Sequence, residues 1–286
     1  MAIRIVTDSA SDIPPQLASQ LNITVVPCYV IIGDHSYKDG VDISSDDFYA
    51  SLTSGSRLPT TAQPTVADFQ DVYQDLLSQG HQVVSIHVSG KLSGTLNSAN
   101  QARTAMREEG AAHIEIVDSK LASLPQGLVA LSAAKSCEGS ESHHEIAQLA
   151  QQEILAISCF FVPDTLEYLQ RGGRIGKAQA FVGSVLNVKP ILTIRNGEAY
   201  PLERIRNRAR AMNRIVALVR EKAPLRQLAV IYSTQREQAE ELKEDLAGLL
   251  DSDEILIARF GPTLGTYLGP GAIGVALAGG GDILNA

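Results

Sequence analysis

The chain has no tryptophan and only six phenylalanines and eight tyrosines in 286 residues, so a surface that stacks nucleobases on aromatic faces is not expected. Positive charge is in deficit. Twenty-four Lys and Arg face 32 Asp and Glu, a net charge of −8, which removes bulk attraction to nucleic acid or to an anionic membrane as a driving force. Cysteine is scarce: Cys28, Cys137 and Cys159 lie far apart without metal-ligand spacing, and an odd, unpatterned count reads as reduced thiols in a cytoplasm. Long apolar runs are missing as well. The longest, Ile154 to Val162, is interrupted by Ser158 and is too short to span a bilayer. The opening MAIRIVTDSASD runs straight into a strand pattern without a signal-peptide core. A soluble cytoplasmic protein without stable membrane insertion is expected.

What is present is a hydrophobic fraction of 44% with 20% charge, a balance that fits compact domains rather than disorder. The length suffices for two domains of ordinary size. Apolar runs at Ile3–Thr7, Ile23–Pro27, Gln82–Ile86 and Ala112–Val117 alternate with helical patterns, which predicts a mainly parallel sheet with helices on both faces. Helices are predicted from Asp12–Pro14 to Leu21, over Asp42–Ser54, from Thr65 to Gly80, from Gly94 to Glu109 with Gly110 as its stop, over Pro125–Cys137, and onward from Ser142. Tyr29 to Tyr37 reads as a small hairpin, and two prolines keep Arg57–Pro64 from being helical. After about residue 155 the rhythm changes. A strand at Ile157–Val162, a helix over Asp164–Gln170, an Asn196-Gly197 hairpin, a long helix carrying Arg206, Arg210 and Arg214, strands at Leu228–Tyr232 and Glu254–Arg259 around a Gln235–Leu250 helix, and a glycine-rich end predict a mixed sheet with helices. The domains are therefore 1–155 and 156–286.

The stretch His87 to Ala99, HVSGKLSGTLNSA, follows a predicted strand. It would set free backbone N–H groups and the positive end of a helix dipole beside the hydroxyls of Ser89, Ser93 and Thr95, an anion site suited to a carboxylate or phosphate. A plainer reading remains: Ser93 caps the helix and the glycines only make the turn. Other motifs fail on context. Gly269-x-Gly271-x-x-Gly274 has no room for a βαβ unit after it, and Arg171–Lys177 resembles a P-loop only superficially. Ser93 as a nucleophile with His87 as base lacks a G-x-S-x-G elbow, and a histidine within a strand is more often structural. His143-His144 opens a polar helix and is read as solvent-facing. No His or carboxylate cluster has metal-ligand spacing, and no metal or cofactor is expected.

Taken together, TDSASD (7–12), PTTAQPT (59–65), SGKLSGTLNSA (89–99), YLQRGGRIG (168–176), VKPIL (188–192) and GTYLGPGAIG (265–274) resemble the DegV family, in family order and over nearly the whole chain. The resemblance implies two α/β domains with a long-chain fatty acid held between them. It also implies a lipid-binding protein, not catalytic by itself, like the acyl-carrier subunit of bacterial fatty-acid kinase, whose separate ATP-using partner phosphorylates the acid. By position, Thr61 and Ser93 match carboxylate-binding hydroxyls and Gly94 the turn beside them. Arg171 and Arg174 match a basic loop for kinase docking and phosphoryl handling. The family's usual histidine in the last motif is Tyr267 here, which alters the carboxylate site. The competing expectation is a stand-alone phosphotransferase or esterase acting on a small anionic substrate.

Overall fold

The computed structural model describes residues 2–55, 58–140, 142–182 and 188–279. Four parallel strands, β1 (Ile3–Asp8), β2 (Thr24–Val26), β6 (Gln82–His87) and β7 (Ile114–Asp118), form the first sheet in the order β2-β1-β6-β7. Successive side chains of a strand point to opposite faces. Val83 accordingly joins a cluster with Phe69, Tyr73 and Ala99, whereas Val84 and Ile86 join one with Leu128 and Ile146. The first cluster lies under α3 (Val66–Ser78) and α4 (Thr95–Thr104), the second under α6 (Leu124–Ser136) and α7 (His143–Ala156). Two shorter helices, α1 (Pro15–Gln20) and α5 (Glu108–Ala111), complete this layer.

The second sheet has six strands: β8 (Ile157–Val162), β9 (Lys189–Arg195), β10 (Glu198–Ile205), β11 (Leu225–Tyr232), β12 (Leu256–Arg259) and β13 (Ile273–Gly279). Their order is β10-β9-β8-β13-β11-β12, and only the β11–β12 pairing is parallel. The outer face is covered by α9 (Arg208–Arg220) and α10 (Arg236–Asp245). Its inner face, with Ala229, Ala276 and Ala278, packs into the same core as α6 and α7. That is why α6 is buried nearly all round: it has a sheet on either side. A third, small sheet, β4-β3-β5, joins β3 (Tyr29–Ile32), β4 (His35–Lys38) and β5 (Thr60–Ala62), and packs with α2 (Ser45–Ser54) and α11 (Pro262–Leu268). The remaining helix, α8 (Glu167–Arg171), leads into the Gly172-Gly173 turn.

The expected two-part α/β architecture is present, with local departures. The helix predicted over Gly94–Glu109 stops at Thr104, because after Met106 no apolar residue before Ala111 holds it to the core, and Gly110 lies within the separate α5. Asp12 does not cap α1, which begins at Pro15. It adopts a left-handed conformation (φ 51°) after a 3-10 turn and spends its carboxylate elsewhere. Thr65 and Asp68 form the full reciprocal capping box, whereas Ser142 makes no side-chain cap for α7, and Glu145 accepts instead from Ser140. Arg206 precedes α9, whose cap is Asn207, so the arginine stripe is reduced to Arg210 and Arg214. The glycine-rich end holds α11 and the central strand β13. His143 is buried, contrary to a solvent-facing pair, because its ring turns in to the Ala112 carbonyl. Arg57 lies outside the described residues; from Leu58 the stretch is non-helical and includes β5. No described helix is long and apolar enough to cross a membrane.

Candidate functional site

Where the first sheet's carboxyl ends meet the second sheet and α11, a cavity opens to solvent at its mouth. Loops beyond parallel strands are the usual ligand position in such sheets. Val88 and Ala122 wall it on one side, and Phe161, Ile194, Ile231 and Phe260 on the other. The buried thiols Cys28 and Cys159 also line it, and desolvation pushes Cys159 up to about 11. Neither thiol is poised as a nucleophile.

Polar groups gather at the mouth. Thr61, on β5 opposite Val30, hydrogen-bonds the Tyr267 hydroxyl from α11. The Arg174 guanidinium lies 5.1 Å from the Tyr267 ring centroid and donates from Nε to the Leu92 carbonyl at 3.1 Å and from a terminal nitrogen to Gly172 O at 2.8 Å. Ser93 is beside Leu92, half-buried, with its hydroxyl 2.9 Å from that of Thr95. A Cβ at Gly172 would sit 2.4 Å from the Tyr267 ring, so the first glycine of the Arg-Gly-Gly-Arg turn gives that ring its seat. Gly94 does not line the cavity. A Cβ there would come within 2.8 Å of the Gln63 amide, and Gln63 itself does line it.

The structure separates the two arginines. Arg174 is part of the cavity wall, whereas Arg171 is exposed and pairs with Glu167 at 2.6 Å one helical turn away. Ser89 is spent: it is buried and donates to the Gly197 carbonyl at 2.8 Å, joining the loop to the β9–β10 hairpin turn. Gln63 and the place of Arg174 in the wall are what sequence reasoning missed. Pro64 and the two glycines marked turns, but only the tertiary fold brings those turns to one mouth.

Behind the mouth lies a second polar cluster, closed to solvent. Asp8 accepts from Ala10 N at 3.1 Å, Val88 N at 3.0 Å, Gln126 Nε2 at 3.2 Å and His87 Nδ1 at 2.9 Å. His87 Nε2 is 2.6 Å from Ser85 Oγ, which is 2.8 Å from the Tyr73 hydroxyl. With the Nδ1 proton facing Asp8, Nε2 accepts from the Ser85 hydroxyl, and Ser85 accepts in turn from the Tyr73 hydroxyl. Asp8, Ser85, His87 and Tyr73 are fully buried, so this Ser-His-Asp succession has no route to a substrate. His87 is thus engaged away from Ser93, and a hydrolase built on that pair loses its base.

Two further carboxyls tie the start of α11 to the loop after β1 and the loop after β4. Asp12 accepts from Gly261 N at 2.9 Å and from Ser123 Oγ at 2.5 Å, and Asp39 from Thr263 N at 3.1 Å and Thr263 Oγ1 at 2.5 Å. Burial pushes both carboxyls above the usual carboxylate range, only partly offset by these donors. They fix the start of the helix that carries Leu264 and Tyr267 into the cavity.

Fold, cavity and polar mouth have counterparts in known proteins. The family model described as "Uncharacterised protein, DegV family" matches residues 2–279. Protein DegV of Bacillus subtilis is 35% identical over 282 residues, covering 96% of this chain and 98% of that protein. A Thermus thermophilus structure described as showing fatty acid binding of a DegV family protein superposes with a TM-score of 0.90 at 34% identity, covering 98% of this chain and all (100%) of that one. A stearic-acid-binding protein of Eubacterium ventriosum superposes at 0.87 with 26% identity, covering 96% and 97% of the two chains. The chain belongs to the DegV family.

Proposed function

We propose that the protein binds one long-chain fatty acid, its tail in the apolar cavity and its carboxylate at the mouth beside Thr61, Ser93 and Tyr267. The observation that carries this reading is the division of one cavity into an apolar body and a hydroxyl-rich end with a guanidinium. Each buried methylene contributes about 0.8 kcal/mol, so the tail supplies most of the affinity. Hydrogen bonds to the charged head, at roughly 1.5–3 kcal/mol each, fix its orientation. Arg174 supplies the positive charge that the hydroxyl loop alone lacks, and Gly94 shapes the loop without touching the ligand. The fatty acids named for relatives are the model for the cargo.

The exposed carboxylate end suits presentation to a separate kinase that forms the acyl phosphate, and Arg171, outside the cavity, is placed for that partner rather than for the lipid. This division of labour makes the protein a non-catalytic subunit acting in the cytoplasm, with its two domains parting near residue 155. Native mass spectrometry of the purified chain tests the lipid reading. A stoichiometric long-chain acid, or uptake of added palmitate or oleate, is expected; neither after delipidation refutes it. Addition of a fatty-acid kinase and ATP separately tests presentation by looking for acyl phosphate.

A further inference from the structure

At the edge of the first sheet, the start of α7 meets strand β7 through three side chains that take no part in the cavity. Glu115 of β7 lies 2.7 Å from Nδ1 of the exposed His144. His143 is only 4% exposed and places Nε2 3.1 Å from the Ala112 carbonyl. A carbonyl can only accept, so Nε2 carries the proton and Nδ1 keeps its lone pair. That Nδ1 is buried and has no hydrogen-bond partner, an uncommon state for a buried polar atom. One nitrogen of each histidine and one Glu115 oxygen lie within 4.8 Å of one another.

We propose that Glu115, His143 and His144 form a Zn²⁺ site. Two imidazoles and a carboxylate are ligand types that zinc takes, and three protein ligands leave a fourth position for water on the exposed His144 side. The Ala112 carbonyl supplies the outer contact that fixes a ligating histidine's tautomer and ring orientation. Two nitrogen donors disfavour Ca²⁺ and Mg²⁺, which prefer all-oxygen shells. The His144–Glu115 contact already joins two of the three groups; bonds of about 2.0–2.2 Å to zinc would draw Nδ1 of His143 into the same cluster. Sequence spacing hides the site, because Glu115 and His143 are 28 positions apart and meet only when α7 packs on β7. An ion held there would clamp the sheet's edge strand to the helix that leads into β8.

The test is titration of Zn²⁺ alone into the full chain, freed of metal with a chelator that is then removed, using a chromogenic competitor and thermal melting. The parent should bind one ion and melt higher with it. Glu115→Gln and His144→Ala, both at solvent-accessible side chains, should each weaken binding about tenfold or more and lose the zinc-induced rise in melting temperature. Cys137→Ser, a thiol control outside the three-residue cluster, should bind as the parent does. Circular dichroism confirms that each variant is folded. No stoichiometric binding by the parent, parent-like affinity in both Glu115→Gln and His144→Ala, or loss of the site in Cys137→Ser would each overturn the assignment.

Discussion

Two polar clusters, one in the first sheet and one at the cavity mouth, are built from similar side chains and put to opposite uses. The closed one, Asp8-His87-Ser85-Tyr73, exchanges its hydrogen bonds internally and has no solvent exposure. The open one, Thr61-Tyr267-Arg174-Ser93, is half-buried and faces a cavity. Side-chain chemistry alone would rank the closed cluster higher as a reactive site, since it contains the acid, histidine and serine of a hydrolase. Unspent hydrogen-bonding capacity and access reverse that ranking. A buried network with every member satisfied specifies the fold, and an accessible one beside apolar space is free to take a ligand.

The sharpest way to break this contrast is Asp8→Ala. It strands the His87 ring and the Val88 and Ala10 amides together, leaves Gln126 Nε2 only Thr7 Oγ1 as acceptor, and should cost about 3–5 kcal/mol of stability, read as a lowered urea midpoint. Retained stability with lost lipid binding would move Asp8 into the ligand site. On the open side, Ser93→Ala and Thr61→Ala should each weaken fatty-acid binding by roughly 1.5–3 kcal/mol, measured by displacement of a fluorescent fatty acid, while stability shifts by no more than about 0.5 kcal/mol. Arg174→Ala should reduce lipid affinity by about 1.5 kcal/mol and Arg171→Ala should leave it unchanged. Equal effects in the same assay would dissolve the distinction drawn between the two arginines.

The smallest effect is a pH dependence behind the mouth. Asp12 and Asp39 have carboxyl groups raised by burial. The folded state therefore holds protons that the unfolded chain releases near pH ~4. Their favourable contribution is complete below that value and is lost as pH rises through the folded-state values. Asp12→Asn keeps an acceptor for Gly261 N and can donate to Ser123. It should flatten this decline, leaving the variant more stable than the parent at the alkaline end. Urea unfolding at several pH values checks it, and parallel curves for parent and variant would count against the assignment.

Much of the fold is legible in the sequence where a short apolar run sits between turn signals, as at Ile157–Val162, whose bounds the strand matches. The Asn196-Gly197 turn is equally direct, with both residues at positive φ. β13 was hidden because Gly274 and Ala276 are small residues chosen for close packing, so its glycines look like loop punctuation. At the mouth, Thr61, Ser93 and Tyr267 are visible as motif residues and do share one cavity. Gln63 and Arg174 join them only through contacts between distant loops. The burial of His143 is likewise tertiary, since a helix that starts with polar residues gives no sign that the Ala112 carbonyl, in the turn before β7, waits for one of them.

The position of β13 has a consequence for how the protein is made. Among the described strands it is the last to leave the ribosome, yet it is the only bridge between β10-β9-β8 and β11-β12. Until Ile273–Gly279 emerges, the nascent chain carries two half-sheets, each with a bare edge of unpaired amides and carbonyls, the kind of surface that invites wrong partners. Gly274 and Val275 also line the cavity, so its wall is unfinished for the same interval. A ribosome stalled before Ile273 therefore holds a chain with an open seam through its second sheet, which protease nicking of stalled chains would reveal as cuts clustered in β8 and β11, and the seam closes in one step when the final strand slides between them.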